Sequence, residues 1–394
     1  MTNMVFSELN KIIYRKSTYI TLILSFIFVF LGVFVFELLD YKFVDYQGNT
    51  HKGFEAISLE KKDFNELQKK NLLPMKLTNS EINKTINNLK NSDVKHLKST
   101  WIKKYLYLLN CTYQLSTSSE FKYLSALSEK GMLDFYKAKE NLIHKFLNNN
   151  EFKLSQSEKN FWEEKSKQCY ESYDYGYHSG WMEFLDKSGF FIFIILAICI
   201  SVAPVYSNEY QSGMDSIILA SKYGKTKNNI AKILSSFLYA TVVITISIVL
   251  CLGVTLAIFG TEGWNLHIQI LQSYIAYPYT FLQLTFITIG MIYIATFVMV
   301  AFTLLLSSCM KTSFPVLIVL LSVLILPIVF GTGIKLLYLL PCKVVISNIW
   351  YSYISFLILG KVFDIYGMAV LTYILLMILM IPLTINIFKK HQVK

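Results

Sequence analysis

Near the middle of the chain Gly224-Lys225-Thr226 matches the end of a nucleotide phosphate-binding loop. Such a loop reads G-x-x-x-x-G-K-T, its backbone N–H groups and lysine cradling phosphates behind a buried strand. The first glycine would fall at position 219, which is Leu219, and no buried strand precedes it, so the match fails. Other chemistry has as little to hold. There is no H-E-x-x-H, no G-x-S-x-G and no paired histidine, so no catalytic residue and no metal ligand set is assigned. The six cysteines, Cys111, Cys169, Cys199, Cys251, Cys309 and Cys342, lack CxxC spacing. Cys111 and Cys169 share one polar region, where they either form a disulfide, if that region lies outside the cell, or stay as two separate thiols. The chain reads as no enzyme.

What Gly224-Lys225-Thr226 belongs to is a longer segment, Ser207 to Lys232, reading SNEYQSGMDSIILASKYGKTKNNIAK between two apolar runs. The helix entering it can continue through Tyr210, and Gly213 permits a turn. Met214, Ile217, Ile218 and Leu219 then give a short helix with an apolar face, and Lys225, Lys227 and Lys232 add positive charge before the next run. A short helix held between two spans can pass a push from a partner into both. A tight, positively charged loop that serves only membrane topology fits the same residues.

The elements that must position this segment are membrane spans. The chain has 394 residues, 54% of them hydrophobic, with mean hydropathy +0.45. Apolar runs of 18 or more residues are long enough to cross the hydrocarbon core as helices. Six are drawn: Tyr19–Leu39, Gly189–Tyr206, Ile233–Phe259, Thr280–Leu306, Phe314–Phe330 and Met368–Phe388. The charge is concentrated elsewhere: residues 40–187 hold 43 charged residues, the other 246 only 20. This is a polar domain inserted between the first and second spans. Capping-box patterns at Thr78-x-x-Glu81 and Ser155-x-x-Glu158, a helix-ending Gly131 and the helical spacing of Trp101, Tyr105, Leu108 and Leu109 make it mostly helical. Its last stretch carries Tyr170, Tyr173, Tyr175, Tyr177 and Trp181, read either as an aromatic belt at the membrane surface or as aromatics facing an amphipathic ligand.

Six spans put both termini on one side, and lysine-rich short loops mark that side as cytoplasmic. With the N-terminus inside, eleven basic residues face the cytoplasm, among them Arg15, the only arginine, and Lys225. Residues 40–187 then lie outside. Residues 1–18 read as an amphipathic helix in the interface, its lysine and arginine near lipid headgroups. The run Val345–Leu359 is too short to cross and reads as a re-entrant or interfacial helix within an external region, 333–367. Spans two to six as drawn contain no Asp, Glu, Lys, Arg or His, which argues against a proton relay or charged filter and for energy supplied by a partner.

The run E-x-x-x-G-M-x-x-x-I-L-A-S-x-x-G-K, followed by Ala231-Lys232, is similar to the cytoplasmic loop of type-2 ABC exporter permeases. Lysine stands where that family more often has arginine. The leading amphipathic helix, six spans and helical region between the last two resemble the family too. The stretch Lys52-Gly53-Phe54-Glu55-Ala56-Ile57 looks like members with a large insertion between the first spans. The resemblance implies an all-α polytopic membrane protein of the bacterial cell membrane with an N-terminal elbow helix. It implies a dimer, with itself or a related permease, and a separate ATPase subunit that carries the ATP and magnesium and docks at Glu209, Tyr210, Gly213, Met214, Ile217, Gly224 and Lys225. This chain would need no cofactor and no nucleic acid. The expected function is outward transport of an amphipathic or hydrophobic molecule, such as an antimicrobial peptide, drug or lipid. A non-transporting mechanical or sensory subunit driven by an ATPase is the alternative.

Overall fold

The computed structural model describes residues 1–30, 36–93, 95–115, 134–169, 172–329, 334–345 and 347–390. Four helices are long and apolar enough to cross a membrane: Ser179–Ser212, Gly224–Phe259, Phe281–Cys309 and Ile365–Lys390. A fifth crossing is formed if α1 (Thr2–Ile13) and α2 (Lys16–Val29), which meet at a bend of 65°, count as one. The remaining apolar helix, α3 (Ser313–Val329), has 17 residues. At 1.5 Å per residue it spans about 26 Å, just short of a typical hydrocarbon core.

The bend after Ile13 lets α1 leave the line of α2 and lie against the start of the Gly224–Phe259 helix. Glu8 and Ile12 are the buried residues on α1, while Phe6 is exposed. The helical run Ser179–Ser212 is continuous through Pro204, whose missing N–H falls at the first turn of its last segment.

The described residues of 40–187 are mostly helical around an aromatic core. Trp101, Tyr105, Leu108 and Leu109 are all buried on one helix, Thr100–Tyr113. At Ser155 both halves of the capping box are made. At Thr78 the hydroxyl accepts from Glu81 N–H, which is half of the pattern. Gly131 and Tyr170 lie outside the described residues.

Two expectations need correction, the re-entrant or interfacial helix and the start of the last span. Two short antiparallel hairpins stand within the mostly helical chain, Lys42–Val44 with Thr50–Lys52 and Ser355–Ile358 with Lys361–Asp364. The second replaces the re-entrant helix expected over Val345–Leu359, which instead breaks into a helical turn, a 3-10 turn and a strand. β-Branched and aromatic residues in Ser355–Asp364 suit a strand, and the last span starts at Ile365, three residues earlier than drawn. Of the two readings of Cys111 and Cys169, the structure has the separate thiols: both are free, and Cys169 is buried with its sulfur 3.2 Å from Gln269 Nε2.

The aromatic residues ahead of the second span pack against other side chains. Tyr173, Tyr175, Tyr177 and Trp181 are all buried. Tyr177 donates to Glu60 Oε2 at 3.2 Å, Trp181 donates to Thr261 O at 3.0 Å, and Tyr175 packs edge-on to Tyr105. Of these three contacts, the first and last hold the polar domain together and the Trp181 bond ties it to the loop after the Gly224–Phe259 helix. Tyr175 alone also borders a cavity, of about 430 Å³.

Candidate functional site

The segment after the second span begins where Pro204 breaks the regular helical ladder. Ser307, from the Phe281–Cys309 helix, repairs it: its hydroxyl donates to Ala203 O at 2.6 Å and accepts from Tyr206 N–H and Ser207 N–H, both at 3.1 Å. A buried backbone group left without a partner would cost about 1–3 kcal/mol, so this one side chain holds three groups in place. Two further links tie the same turn to its neighbours. Tyr206 donates to Asn229 Oδ1 at 2.5 Å, and Asn229 Nδ2 donates to Ile385 O at 3.3 Å on the last helix. Tyr210 donates to Ser308 O at 3.2 Å.

Below this brace lies a cluster of charges. Lys232 is 1% exposed and donates to Glu209 Oε1 and, at 3.2 Å, to Glu8 Oε2. Lys11 reaches the other oxygen of Glu8 at 2.5 Å. Arg15 interacts electrostatically with both carboxylates, and its Nη2 contacts Pro204 O at 3.5 Å. Three stretches far apart in sequence, the N-terminal helix, the end of the second long helix and the start of the third, are thereby joined through one buried ammonium. Buried charges persist only when paired in this way.

Outward from the cluster the chain turns at Gly213, whose φ of +70° suits glycine and strains other residues. The short helix α4 (Met214–Ala220) follows, burying Asp215 and Leu219. Met214 and Ile217 point away from the bundle, 53% and 70% exposed. Gly224 closes the segment by close approach: a Cβ there would stand 1.6 Å from Ile218 O. A π-turn, Gly224–Asn228, then leads into the next span, with Tyr223, Lys222, Lys225 and Lys227 exposed around it.

The seven residues assigned from sequence therefore divide by place. Met214, Ile217 and Lys225 form an exposed face; Gly213 and Gly224 shape the turns; Glu209 is buried on Lys232, and Tyr210 is half-buried against the Phe281–Cys309 helix. Sequence reasoning left Glu8, Lys232, Asn229 and Ser307 out of the site. Two of them carried a signal: Glu8 is the only acidic residue among the first 36, and Lys232 is the only charged one on Asn229–Phe259. That helix starts four residues before the span drawn from hydropathy, so Lys232, expected ahead of the helix, stands on its first turn.

Among the described residues no cluster of histidine, cysteine or carboxylate has the makings of a metal site. The geometry is that of a lever arm with an exposed apolar tip and a charge-locked base. No curated protein and no solved structure matches the chain. A family model, described as ABC-2 family transporter protein, matches residues 3–344, which takes in α1, the polar domain, the charge cluster and the exposed tip. This chain belongs to the ABC-2 transporter family and is a multi-pass permease subunit of an ABC transporter.

Proposed function

We propose that the chain is the permease of an ATP-driven exporter, moving an amphipathic or hydrophobic molecule outward with energy from a separate ABC ATPase subunit. Permeases of this family work with such a partner. The observation that carries the reading is the pairing of an exposed tip, Met214 and Ile217, with a buried base, Glu8–Lys232–Glu209. An apolar tip ringed by lysines suits a groove on another subunit, and the base turns its displacement into movement of three helices together. On this reading α1 is an elbow helix in the inner leaflet, and α3 and the bent α1–α2 pair complete six spans. Both termini are cytoplasmic, residues 40–187 project outside the cell, and two permeases assemble around the path. ATP and magnesium belong to the ATPase chains. The test is ATP-dependent flux of candidate peptides, drugs and lipids in vesicles holding the purified complex. Failure of any ATPase subunit to copurify with the chain refutes it.

One observation favours a second reading, in which the ATPase drives the polar domain mechanically. That domain is bolted to the region before the last helix by Lys165–Asp364 at 2.5 Å, Lys335–Glu158 at 2.6 Å and Trp162 Nε1 to Ser355 Oγ at 3.1 Å. A shift of the last helix would reach the domain through these contacts. Charge exchange at Lys165 and Asp364 that restores ATP-driven movement of a label in the domain, in vesicles showing no flux for any cargo, is the result this second reading requires.

A further inference from the structure

The polar domain contains a buried lysine that the transport reading leaves without a task. On the helix Phe135–Asn148 the buried stripe runs Phe135, Lys139, Leu142, Ile143, Leu147, so Lys139 occupies a position that spacing assigns to an apolar residue. It is 6% exposed. The other buried lysines are paired with carboxylates: Lys232 with Glu8 and Glu209, Lys187 with Glu183 at 2.7 Å, and the largely covered Lys165 with Asp364. Lys139 has no carboxylate within ion-pair distance among the described residues. Its Nζ donates to Tyr173 Oη at 2.5 Å, a neutral partner. Beside it burial pushes the Cys169 thiol up, so that neighbour is neutral as well. Burial likewise lowers the lysine itself.

Lys139 lines a cavity of about 670 Å³ between this helix and the next, Gln156–Lys167. That volume lies within the usual range for small-molecule sites. Ile143 and Tyr136 supply an apolar wall. His144 pairs with Glu163 at 3.3 Å, and Lys137 and Lys167 balance the lining carboxylates Asp134 and Glu140, which leaves Lys139 as the lining cation without a lining anion to match it. An ammonium on a neutral hydroxyl has two protons left to donate.

We propose that this cavity binds a small ligand through an anionic head, a carboxylate or a phosphate, which takes the place opposite Lys139 that no described carboxylate fills. The carboxylate source is a peptide C-terminus and the phosphate source a headgroup-like ester; both meet Lys139 with the same charge-assisted hydrogen bonds, while Ile143 and Tyr136 cover the adjoining apolar part. The inference does not depend on ATPase coupling, and either reading can fail alone.

The test is titration of the full-length protein in phosphatidylcholine nanodiscs with two pairs of probes. Acetyl-trileucine is compared with its C-terminal amide, and glycerol 3-phosphate with glycerol. At least one anion is expected to bind roughly ten-fold or more tightly than its neutral counterpart, the scale of a charge-assisted hydrogen bond. The arm that binds identifies the source. Lys139→Gln should abolish that preference, Lys139→Arg should keep part of it, and Lys137→Gln at the rim should change it less than three-fold. No preference for either anion, or a preference that survives Lys139→Gln, overturns the proposal. Should Lys139→Gln fail to fold, protection of the Lys139 amine from acetylation by the anionic probe reads the same contact in the native chain, and absence of protection overturns it.

Discussion

Removing Lys232 should hurt the protein more than removing either carboxylate that it serves. With Glu209→Gln, Lys232 keeps Glu8 at 3.2 Å, and the new amide still offers an oxygen to the ammonium. The loss is then that of one charged hydrogen bond, about 1.5–3 kcal/mol. With Lys232→Met, two buried carboxylates lose their shared cation. Glu8 retains its direct pair with the half-exposed Lys11, whereas Glu209 retains only the more distant fields of Arg15 and Lys11. Breaking a buried pair in this way costs about 3–5 kcal/mol. The order follows from topology: one ammonium serves two anions, and each anion is one of two. Replacing both at once, Lys232→Met with Glu209→Leu, removes a charge of each sign and should recover about 1–3 kcal/mol of the summed single costs. Thermal unfolding of the detergent-purified chain, read with monodispersity, gives the ranking. Lys232→Met no worse than Glu209→Gln, with strict additivity in the double variant, would falsify the claim that the three side chains act as one lock.

Three other outcomes follow from the geometry. Ile217→Glu places a charge on a side chain that is 70% exposed, so folding should be unaffected while copurification of the ATPase falls at least ten-fold; unchanged copurification removes Ile217 from the docking face. Ser307→Ala strips Tyr206 N–H, Ser207 N–H and Ala203 O of a common partner and should destabilise by about 2–4 kcal/mol, visible as a lowered unfolding temperature, with Ser307→Thr closer to wild type. Burial pushes the Asp63 carboxyl up to about 6 from its ordinary 3.8, the negative charges of Asp45 and Glu66 adding to it. A raised acid favours the folded state when protonated, so stability is lost as pH rises from 3.8 through about 6, by at most roughly 3 kcal/mol. Asp63→Asn keeps the acceptor for Tyr46 N–H and should flatten the unfolding temperature across that window; a fall of the same size in the variant assigns it to other groups. His51, held up first by its hydrogen bond to Asp45, contributes stability below its ordinary 6.5 that is lost above it, outside that window.

How far the fold was legible depended on whether a signal was local. The cap at Ser155, the buried face of Trp101 to Leu109 and the turn at Gly213 follow from spacing within one or two helical turns, and each stands where the residues place it. The charge lock was not legible because its members are 201 and 23 residues apart, with Glu8 and Glu209 meeting only at Lys232. Hydropathy moreover trims a span at its first charge, so Lys232 was placed at headgroup level rather than inside the bundle. The tyrosines ahead of the second span illustrate the opposite error. Their density resembles a surface belt, but phenols that donate to buried acceptors are core residues. Composition alone does not separate the two, because the partners, such as Glu60, come from another part of the chain.

The placement of charge also bears on how such a subunit can be driven. Ionisable side chains are absent from the middle of the long helices and gathered where their ends meet, at Glu8, Lys232 and Glu209 on one side and at Lys165–Asp364 and Lys335–Glu158 beside the polar domain. A proton-driven carrier needs titratable groups along its path. Here the charges instead fasten helix ends to neighbouring elements, which is the arrangement required if helices are to be moved as rigid bodies from outside the bilayer. Apolar stretches between fastened ends can slide or tilt against each other at little cost, since no ion pair within the membrane has to break. The fastenings then decide which helices travel together: α1, the second long helix and the third at one end, the last helix and the polar domain at the other. A push on Ile217 can reach the polar domain along the Ser179–Ser212 helix, which starts in it, and a second route runs through the last helix, joined by Asn229 Nδ2 to Ile385 O and by Tyr206 packed on Phe388. Asn229→Leu should accordingly leave the charge lock intact and the ATPase bound, yet reduce ATP-driven movement of a fluorophore placed in the polar domain. Undiminished movement in that variant would show that the two ends communicate by another route.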